Sequence, residues 1–354
     1  MDITRTLTVN PKPEPDWHNL GFGKIMTDHM FLMDNEDDRG WYDARIVPYG
    51  PLALDPASNV LHYGVEVFEG LKAYYSGEDK ILLFRPFDNA RRINNSSRRL
   101  CIPQLPEEDF VQAITELINV DRRWVPKLPD SSLYIRPIII ATEPQLGVKR
   151  STQYMFVVMM SPVGSYYAEG LDPVKIFVEE EYVRAVSGGT GNAKCGGNYA
   201  AGLAAQYRAK QIGYSQVLWL DGAERKYIDE VGTMNVLFKI NGQVITPDLS
   251  GGTILPGITR DSVLKLLQHW GTPAVERRVT LEEVYQAAQD GTLEEAFGAG
   301  TAAVITPIGE LNIHGQKMQV GNGQTGQLTH KIYTALTDIQ WGRAADPFGW
   351  TMEV

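Results

Sequence analysis

The chain has 354 residues, enough for about two domains of roughly 150 residues each, which excludes a single small module held together by disulfides. Its 33 basic and 43 acidic residues give a net charge of −10, which disfavours nucleic acid as the main partner because duplex binding needs a basic surface. The two cysteines, Cys101 and Cys195, cannot build a disulfide framework and have no CxxC spacing, which favours a reducing compartment.

Metal and membrane functions are also disfavoured. The six histidines are scattered and none lies in an HExxH pattern, which argues against a zinc site. The longest apolar run, 154–160, is strand-sized and far shorter than the roughly 18 residues of a membrane span. The first residues have neither the basic segment nor the apolar core of a signal peptide. We therefore expect a cytoplasmic protein without a metal ion.

Strands and helices are interspersed in the N-terminal half. Apolar, branched and aromatic runs predict strands at 80–84, 133–140 and 154–160. A predicted helix at 88–99 carries four arginines, of which most should be solvated or paired and at most one should bind phosphate. After Pro106, a second helix is predicted to cover a sheet with an apolar face. That face consists of Phe110, Val111, Ile114, Leu117 and Ile118.

A stretch without periodicity, 161–173, contains two prolines and two glycines and is the expected linker. We predict a mixed α/β chain with a small N-terminal α/β domain at 1–165, an interdomain linker at 166–175 and a large C-terminal domain at 176–354.

The C-terminal half repeats the mixture. Strands are predicted at 174–178 and 216–220, and Asn241-Gly242 between two apolar runs predicts a hairpin over 236–246. Thr280 and Glu283 have the spacing of a capping box, and 328–341 is a candidate amphipathic helix.

The most unusual stretch is SGGTGNAKCGGNY, where Lys194 lies among five glycines just before a helix predicted over 199–210. Lys194 could hold a phosphate, although GxxxxGK[ST] is not matched, or it could be a nucleophile that forms a Schiff base with a carbonyl cofactor. A surface loop with a solvated lysine is the third interpretation.

Three other segments have a functional and a plain structural interpretation. Thr259 is predicted to be the N-cap of a helix, a position that also suits a phosphate. Thr301 lies in a second glycine-framed turn, FGAGTA. Glu230 is predicted in a turn-like setting, where an isolated glutamate is usually a surface charge.

Together these segments resemble the branched-chain amino-acid aminotransferases, the fold-type IV group of enzymes that use pyridoxal 5'-phosphate (PLP). The resemblance extends over about 21–342. It rests on TDHM at Thr27, LHYGVEVFEGLKA at Leu61, YIRP at Tyr134, EPQLGV at Glu143, GGTGNAKCGGNY at Gly188, DEVGTMN at Asp229, ILPGITR at Ile254 and FGAGTA at Phe297. The YIRP and HYGVEVFEG segments favour this group over two relatives of the same fold, D-amino-acid transaminase and aminodeoxychorismate lyase.

The resemblance implies that the large C-terminal domain binds PLP, and it implies a role for each cofactor-binding residue. Lys194 would form the Schiff base with PLP and move the proton between substrate and cofactor. Glu230 would face the pyridine nitrogen, and Tyr199 would hydrogen-bond the ring hydroxyl oxygen. The phosphate would be held by Arg92, Ile258, Thr259 and Thr301.

The resemblance also implies the substrates: the amino group of L-leucine, L-isoleucine or L-valine would pass to 2-oxoglutarate by ping-pong kinetics. Tyr134 and the amides of Thr301 and Ala302 would hold the α-carboxylate, and Arg136 would meet the second carboxylate of 2-oxoglutarate or glutamate. The side-chain pocket would consist of Phe22, Tyr63, Phe68, Val148 and Tyr166.

Family members are dimers in which the loop around Gly147 and Val148 reaches the neighbouring active site, so we expect a homodimer or a higher homo-oligomer. The redox-sensing CxxC of some mammalian relatives is absent, since Ala303 and Thr306 stand at those positions. We therefore expect no thiol control. A phosphate- or nucleotide-binding module without covalent chemistry is the alternative from another functional class.

Overall fold

The computed structural model describes residues 1–164 and 171–354, and both element types run through both ranges. The predicted mixed α/β class is confirmed. In chain order the elements are β1 (Thr4–Arg5), β2 (His29–Glu36), β3 (Gly40–Pro48), α1 (Asn59–Tyr63), β4 (Glu66–Phe68), β5 (Leu71–Gly77), β6 (Lys80–Phe84), α2 (Pro86–Arg99), α3 (Glu107–Val120), β7 (Ser132–Ala141), β8 (Gln153–Val163), β9 (Val174–Glu179), α4 (Gly196–Ala201), α5 (Leu203–Gln211), β10 (Gln216–Leu220), β11 (Ile228–Val231), β12 (Met234–Ile240), β13 (Gln243–Thr246), α6 (Ile258–His269), β14 (Val275–Glu276), α7 (Leu281–Gln289), β15 (Leu293–Gly300), β16 (Val304–Ile313), β17 (Gln316–Gln319), α8 (Gln327–Gln340) and β18 (Thr351–Glu353).

The first of two units contains the described residues up to 164 together with Ala193–Gly196 and Asp338–Val354. Its sheet has the order β1-β3-β2-β8-β7-β5-β6-β18, and β4 pairs with β7. Helix α3 packs against α2 and β2. The predicted apolar face of α3 is buried, with the ring of Phe110 5.9 Å from that of Phe156 between centroids. This helix therefore covers the sheet as predicted.

The second unit contains 171–192 and Gly197–Thr337. Its strands pair in the order β11-β10-β9-β16-β15-β12, and β12 also pairs with β11, so the ladder closes on itself. Strands β13 and β14 extend from β12, and β17 extends from β16. Because the ring is closed, each of its six strands pairs with a neighbouring strand on both sides. Buried apolar side chains such as Ile176, Leu218 and Phe238 form the core.

The predicted hairpin is confirmed, whereas the stretch 161–173 begins too early to be the linker. Strands β12 and β13 are antiparallel, and Asn241 and Gly242 have φ values of 51° and 76°, as a type I′ turn requires. Strand β8 continues through Val163, because residues 161–163 still pair with β7. The ladder between β2 and β8 ends at Val158, so Pro162, which has no backbone N–H, removes no hydrogen bond from it. Residues 165–170 lie outside the described residues.

Two helix predictions need correction, and one capping prediction is confirmed. The helix expected over 199–210 is two helices, α4 and α5, separated at Gly202, where a Cβ atom would lie 3.1 Å from the Trp219 ring. The N-cap of α6 is Gly257 and not Thr259, which lies in the first turn. At the start of α7, Thr280 Oγ1 accepts a hydrogen bond from the Glu283 amide at 3.0 Å, as the capping box predicted.

Two segments beyond the predicted linker belong to the first unit. Ala193–Gly196 joins it because the Phe68 amide donates to the Lys194 carbonyl at 3.0 Å. Asp338–Val354 joins it because β18 pairs antiparallel with β6. Strand β9 begins at Val174, inside the range expected for the linker. Within 1–164 and 171–354, no helix combines the length and the apolar character needed to cross a membrane.

Candidate active site

Lys194 is fixed to the first unit through its backbone on both sides. Its amide donates to Ser96 Oγ of α2 at 2.8 Å, and its carbonyl accepts from the Phe68 amide at 3.0 Å. The ammonium nitrogen lies 4.7 Å from the centroid of the Phe68 ring. These contacts rule out the interpretation of Lys194 as a solvated lysine on a surface loop.

The surroundings of Lys194 favour a neutral amine. Burial, and next to it the positive charge of Arg92, lower the pKa of Lys194 to about 8, while the carboxylate of Glu69 opposes both effects. At a pH equal to that pKa, about half of the amines are neutral and nucleophilic. A second buried lysine in this unit, Lys72 on β5, also has a pKa lowered to about 8 by burial.

Arg92 is held by a buried carboxylate that the sequence analysis did not single out. Glu69 Oε1 accepts from Arg92 Nε at 2.7 Å, and Glu69 Oε2 accepts from Arg92 Nη2 at 2.8 Å. Arg92 therefore belongs to the buried face of α2 and is not one of its solvated arginines. Burial would raise the pKa of Glu69, but the charge and hydrogen bonds of Arg92 outweigh it and lower that pKa.

An aromatic cluster in the same unit contains four of the predicted substrate-binding residues. The rings of Phe22 and Tyr134 lie 4.9 Å apart between centroids. The guanidinium of Arg136 lies 4.8 Å from the Phe68 ring centroid and donates to the Tyr134 hydroxyl at 3.0 Å. Its Nε is buried and has no hydrogen-bond partner within the described ranges. The cluster combines apolar surface with a cation that can donate a further hydrogen bond.

The remaining predicted pocket residues are placed differently. Tyr63 is partly exposed and its hydroxyl donates to the Leu146 carbonyl, which ties α1 to the loop that carries Val148. Val148 itself is 82% exposed in the single chain. Tyr166 lies outside the described residues.

In the second unit, Glu230 lies in strand β11 and is only 2% exposed, so the predicted turn-like setting is wrong and the alternative of a surface charge is excluded. Its Oε2 is 3.1 Å from Arg184 Nε, and its Oε1 accepts from the Leu255 amide at 2.7 Å. Arg184 also donates to the Thr253 carbonyl at 2.6 Å. The strand, the loop before α6 and a buried guanidinium thus hold one carboxylate in a fixed position with charged and neutral donors.

Tyr199 and Glu230 line the same small cavity of the second unit. Its wall also includes Arg184, Asn198, Gly202, Gln206, Trp219, Gly232 and Thr233. Tyr199 and Glu230 are far apart in sequence. Strand β11, which carries Glu230, pairs with β10, and β10 packs against α5, the helix that follows α4 and Tyr199. The structure therefore brings two predicted cofactor-binding residues together.

The N-terminus of α6 forms an anion-binding geometry. Gly257 precedes Ile258 and Thr259, and a Cβ atom at position 257 would lie 1.9 Å from Asn235 Oδ1, so only glycine fits there. Asn235 Nδ2 in turn donates to the Leu255 carbonyl at 3.0 Å and holds the loop in place. The first-turn amides of a helix attract phosphate.

The second threonine turn follows β15. Thr301 and Ala302 are half-buried between β15 and β16. A Cβ atom at Gly298 would lie 2.7 Å from Met234 Cε, and one at Gly300 would lie 3.0 Å from Met234 Cγ. The glycines of FGAGTA therefore allow close packing on Met234 below the turn.

Asp229, next to Glu230, gives a testable pH dependence. Burial raises its pKa to about 6, Thr253 Oγ1 donates to its Oδ1 at 3.0 Å, and its Oδ2 has no partner among the residues that the structure describes. A raised pKa means stability that is complete below the ordinary value of 3.8 and lost as pH rises through about 6. We expect Asp229→Asn to gain up to about 3 kcal/mol in free energy of unfolding, relative to wild type, between pH 4 and pH 7.5.

The measurement is urea unfolding of both proteins across that pH range. Asp221→Asn is the matched control. Burial would raise the pKa of Asp221, but four backbone N–H donors outweigh it and lower that pKa, so its stabilising effect is lost as pH falls. A parallel pH dependence of wild type and Asp229→Asn would contradict the buried-acid assignment.

The charged partners of the site, Glu69 and Arg184, are not among the residues predicted from the sequence. Glu69 lies within the quoted LHYGVEVFEGLKA segment, and Arg184 lies ten residues before Lys194. A strongly apolar neighbourhood was the available signal for Glu69, since Val67 and Phe68 precede it. Nothing comparable distinguishes Arg184 in the sequence.

Comparison with known proteins identifies the family. The amino-transferase class IV family model matches residues 66–311, and the chain belongs to this family. Class IV aminotransferases are PLP-dependent, so the predicted transaminase activity and cofactor are confirmed.

The similar proteins fit the predicted group. The chain is 57% identical to branched-chain-amino-acid aminotransferase 2 of Bacillus subtilis, over 98% of this chain and 96% of that protein. It is 55% identical to branched-chain-amino-acid transaminase 1 of the same organism, over 99% of both chains. Among solved structures, the branched-chain aminotransferase from Thermoproteus uzoniensis with norvaline has a TM-score of 0.76 and 27% identity, over 92% of this chain and 99% of that one.

The side chains present suit the chemical groups of PLP. A buried amine with a lowered pKa suits the aldehyde, and a buried guanidinium and a helix N-terminus suit the phosphate. The carboxylate of Glu230, paired with Arg184, suits a protonated pyridine nitrogen. The donor set of each unit therefore fits part of the cofactor.

Proposed function

We propose that this aminotransferase transfers the amino group of L-leucine, L-isoleucine or L-valine to 2-oxoglutarate, giving branched-chain 2-oxo acids and L-glutamate in two half-reactions. The observation that carries the proposal is Arg136, a cation whose guanidinium lies against the rings of Phe68 and Tyr134. Such a cluster offers apolar burial to a branched side chain and a charge-assisted hydrogen bond to a second carboxylate. The names of the similar proteins support the same substrates.

The roles proposed for the cofactor-binding residues follow from their chemistry. When bound, PLP supplies the electron sink for the pair left on the substrate α-carbon. Lys194 would bind the cofactor aldehyde in the resting enzyme and, once the substrate amine has displaced it, would take up the α-proton as a free neutral amine. Glu230 accepts a hydrogen bond from the protonated ring nitrogen, and Tyr199 donates to the ring hydroxyl oxygen.

The phosphate and the substrate carboxylates are assigned to separate groups of donors. Arg92, the first turn of α6 at Ile258 and Thr259, and Thr301 bind the phosphate. The Tyr134 hydroxyl and the amides of Thr301 and Ala302 bind the α-carboxylate, and Arg136 binds the second carboxylate of 2-oxoglutarate. The apolar side chain of the substrate is assigned to Phe22 and Phe68, together with Tyr63, Tyr166 and, from the neighbouring subunit, Val148.

We further propose a homodimer, or a higher homo-oligomer, that works in the cytoplasm. The loop of Leu146 and Val148 exposes apolar side chains in the single chain, which favours an interface there. Cys101 and Cys195 are both free, as expected in a reducing compartment.

A half-reaction assay tests this function against its nearest alternatives. The PLP-loaded enzyme is mixed with L-leucine or D-alanine, and conversion of the cofactor to its amine form is followed by absorbance. We expect rapid conversion by L-leucine only, and return of the original spectrum with 2-oxoglutarate. Conversion by D-alanine alone would favour a D-amino-acid transaminase, and pyruvate release from aminodeoxychorismate would favour the lyase.

Replacing Arg136 should separate the two substrates. In Arg136→Met the second carboxylate loses its charged donor, so kcat/KM for 2-oxoglutarate should fall by about 10- to 150-fold. The L-leucine half-reaction should change by less than about fivefold, because its side chain makes no ionic contact. Single-turnover rates with each substrate provide the measurement, and Arg136→Lys should recover part of the loss. An equal loss for both substrates would contradict this role.

A further inference from the structure

Glu69 is a wholly buried carboxylate that the proposed reaction does not use. It follows β4, and its amide donates to the Pro137 carbonyl of β7 at 2.8 Å, so its backbone is part of the sheet. Its side chain points away from solvent toward α2. A buried carboxylate is costly unless it is paired and hydrogen-bonded, so its partners indicate why it is tolerated.

Both oxygens of Glu69 accept hydrogen bonds. Oε1 accepts from Arg92 Nε at 2.7 Å, and Oε2 accepts from Arg92 Nη2 at 2.8 Å. Oε2 also accepts from Asn89 Nδ2 at 2.7 Å and from the Gly70 amide at 3.1 Å. Asn89 and Arg92 are both on α2, one turn apart. Asn89 and the Gly70 amide therefore hold the carboxylate in place independently of Arg92.

Two parallel bonds from a planar guanidinium to one carboxylate fix the plane and the direction of the arginine. An arginine without this contact would have several rotamers and would lose rotamer entropy on binding a ligand. With it, the guanidinium is already oriented before any anion arrives. Nε and Nη2 of Arg92 both donate to Glu69, and these two bonds hold the guanidinium in one orientation.

We propose that Glu69 is a positioning residue that preorganises Arg92 for the phosphate of the cofactor, acting through the arginine and without touching the cofactor itself. The inference rests on the proposed function, which assigns the phosphate to Arg92. It goes beyond that function by assigning part of the phosphate affinity to a carboxylate, a group that would by itself repel phosphate.

Glu69 has a second effect, on the charge of Lys194. The charged and titratable groups that act on Lys194 are Arg92 of α2, Glu69 after β4, and Tyr134 and Arg136 of β7. The two arginines lower the pKa of Lys194, whereas Glu69 and Tyr134 raise it. Removing the carboxylate therefore shifts the titration of Lys194 to lower pH, and removing the Arg92 charge shifts it to higher pH.

The test compares PLP with pyridoxal, which has no phosphate, as ligands of the full-length chain freed of cofactor. Binding is measured by titration for wild type, Glu69→Gln, Arg92→Gln and the double variant. For Glu69→Gln we expect the dissociation constant of PLP to rise by about 10- to 100-fold and that of pyridoxal by less than about threefold. In the Arg92→Gln background, Glu69→Gln should have no further effect on the preference for PLP.

The pH readout distinguishes positioning from a plain structural role. The rate of cofactor capture by Lys194 is measured against pH, and its midpoint should move down in Glu69→Gln and up in Arg92→Gln. A carboxylate that only holds α2 to the sheet would lower thermal stability and weaken both ligands equally. Equal losses for PLP and pyridoxal, or an undiminished Glu69→Gln effect without Arg92, would overturn the proposal.

Asn89→Ala covers the case in which Glu69→Gln does not fold. This variant removes one donor to Glu69 Oε2 and leaves both charges in place, so we expect the same preference change at a few-fold size. Its failure to weaken PLP selectively would also overturn the proposal. If Arg92→Gln keeps the full preference for PLP, the phosphate assignment itself is wrong, a result that the L-leucine assay would not share.

Discussion

Lys194→Ala is expected to lower the rate of the L-leucine half-reaction by at least about 10³-fold, because the variant loses both the nucleophile and the base that takes up the α-proton. Burial and the charge of Arg92 place the pKa of Lys194 at about 8, so wild type has a neutral amine available at physiological pH. The measurement is a single-turnover reaction of PLP-loaded protein with L-leucine.

The fold should survive this substitution. Residue 194 donates to Ser96 through its backbone amide and accepts from the Phe68 amide through its backbone carbonyl, so alanine keeps both hydrogen bonds. Far-UV circular dichroism and thermal unfolding are the controls. Added methylamine should restore part of the rate by replacing the missing base. A Lys194→Ala protein that retains wild-type turnover would remove this lysine from the mechanism.

Glu230→Gln is expected to lower kcat by about 10²-fold, since a neutral amide no longer favours the protonated ring nitrogen that makes the cofactor an electron sink. Arg184 Nε lies 3.1 Å from Glu230 Oε2 in wild type, and the arginine loses this charged partner in the variant. We therefore also expect lower thermal stability. Steady-state kinetics with L-leucine and 2-oxoglutarate at saturating PLP provide the measurement.

The neighbouring carboxylate is the matched control for Glu230. Asp229→Asn changes another buried acid on the same strand, whose hydrogen bond goes to Thr253 and not to Arg184. We expect its kcat to remain within a few-fold of wild type. Equal losses in the two variants would assign the effect to the strand and not to the ring nitrogen.

The sequence predicted elements wherever a local pattern carries the information. The α3 face, the 241–242 turn and the Thr280 cap depend on spacing within a few residues, and the structure confirms all three. Gly202 shows the limit of such patterns. A side chain at position 202, between α4 and α5, would crowd Trp219 on β10, a long-range contact that helical periodicity does not record.

The parts of the site differ in the same way. Lys194 was singled out because glycines surround it, whereas Glu69 and Arg184 are recognisable only from the buried partners that the fold gives them. Glu230 was misplaced in a turn because DEVGTMN contains the tight turn between β11 and β12, and the residue precedes that turn within the strand. Whether such a residue lies in a strand or in a turn depends on strand pairing between residues that are distant in sequence.

The central claim is that Lys194 is the amine that binds the cofactor, and borohydride reduction with peptide mapping tests it most directly. Lys72 is a demanding internal comparison, because burial also lowers its pKa to about 8. The account predicts one pyridoxyl group per chain, attached to Lys194 and absent from Lys72. A pyridoxyl group on Lys72 or another lysine, or no covalent label on PLP-loaded protein, would contradict it.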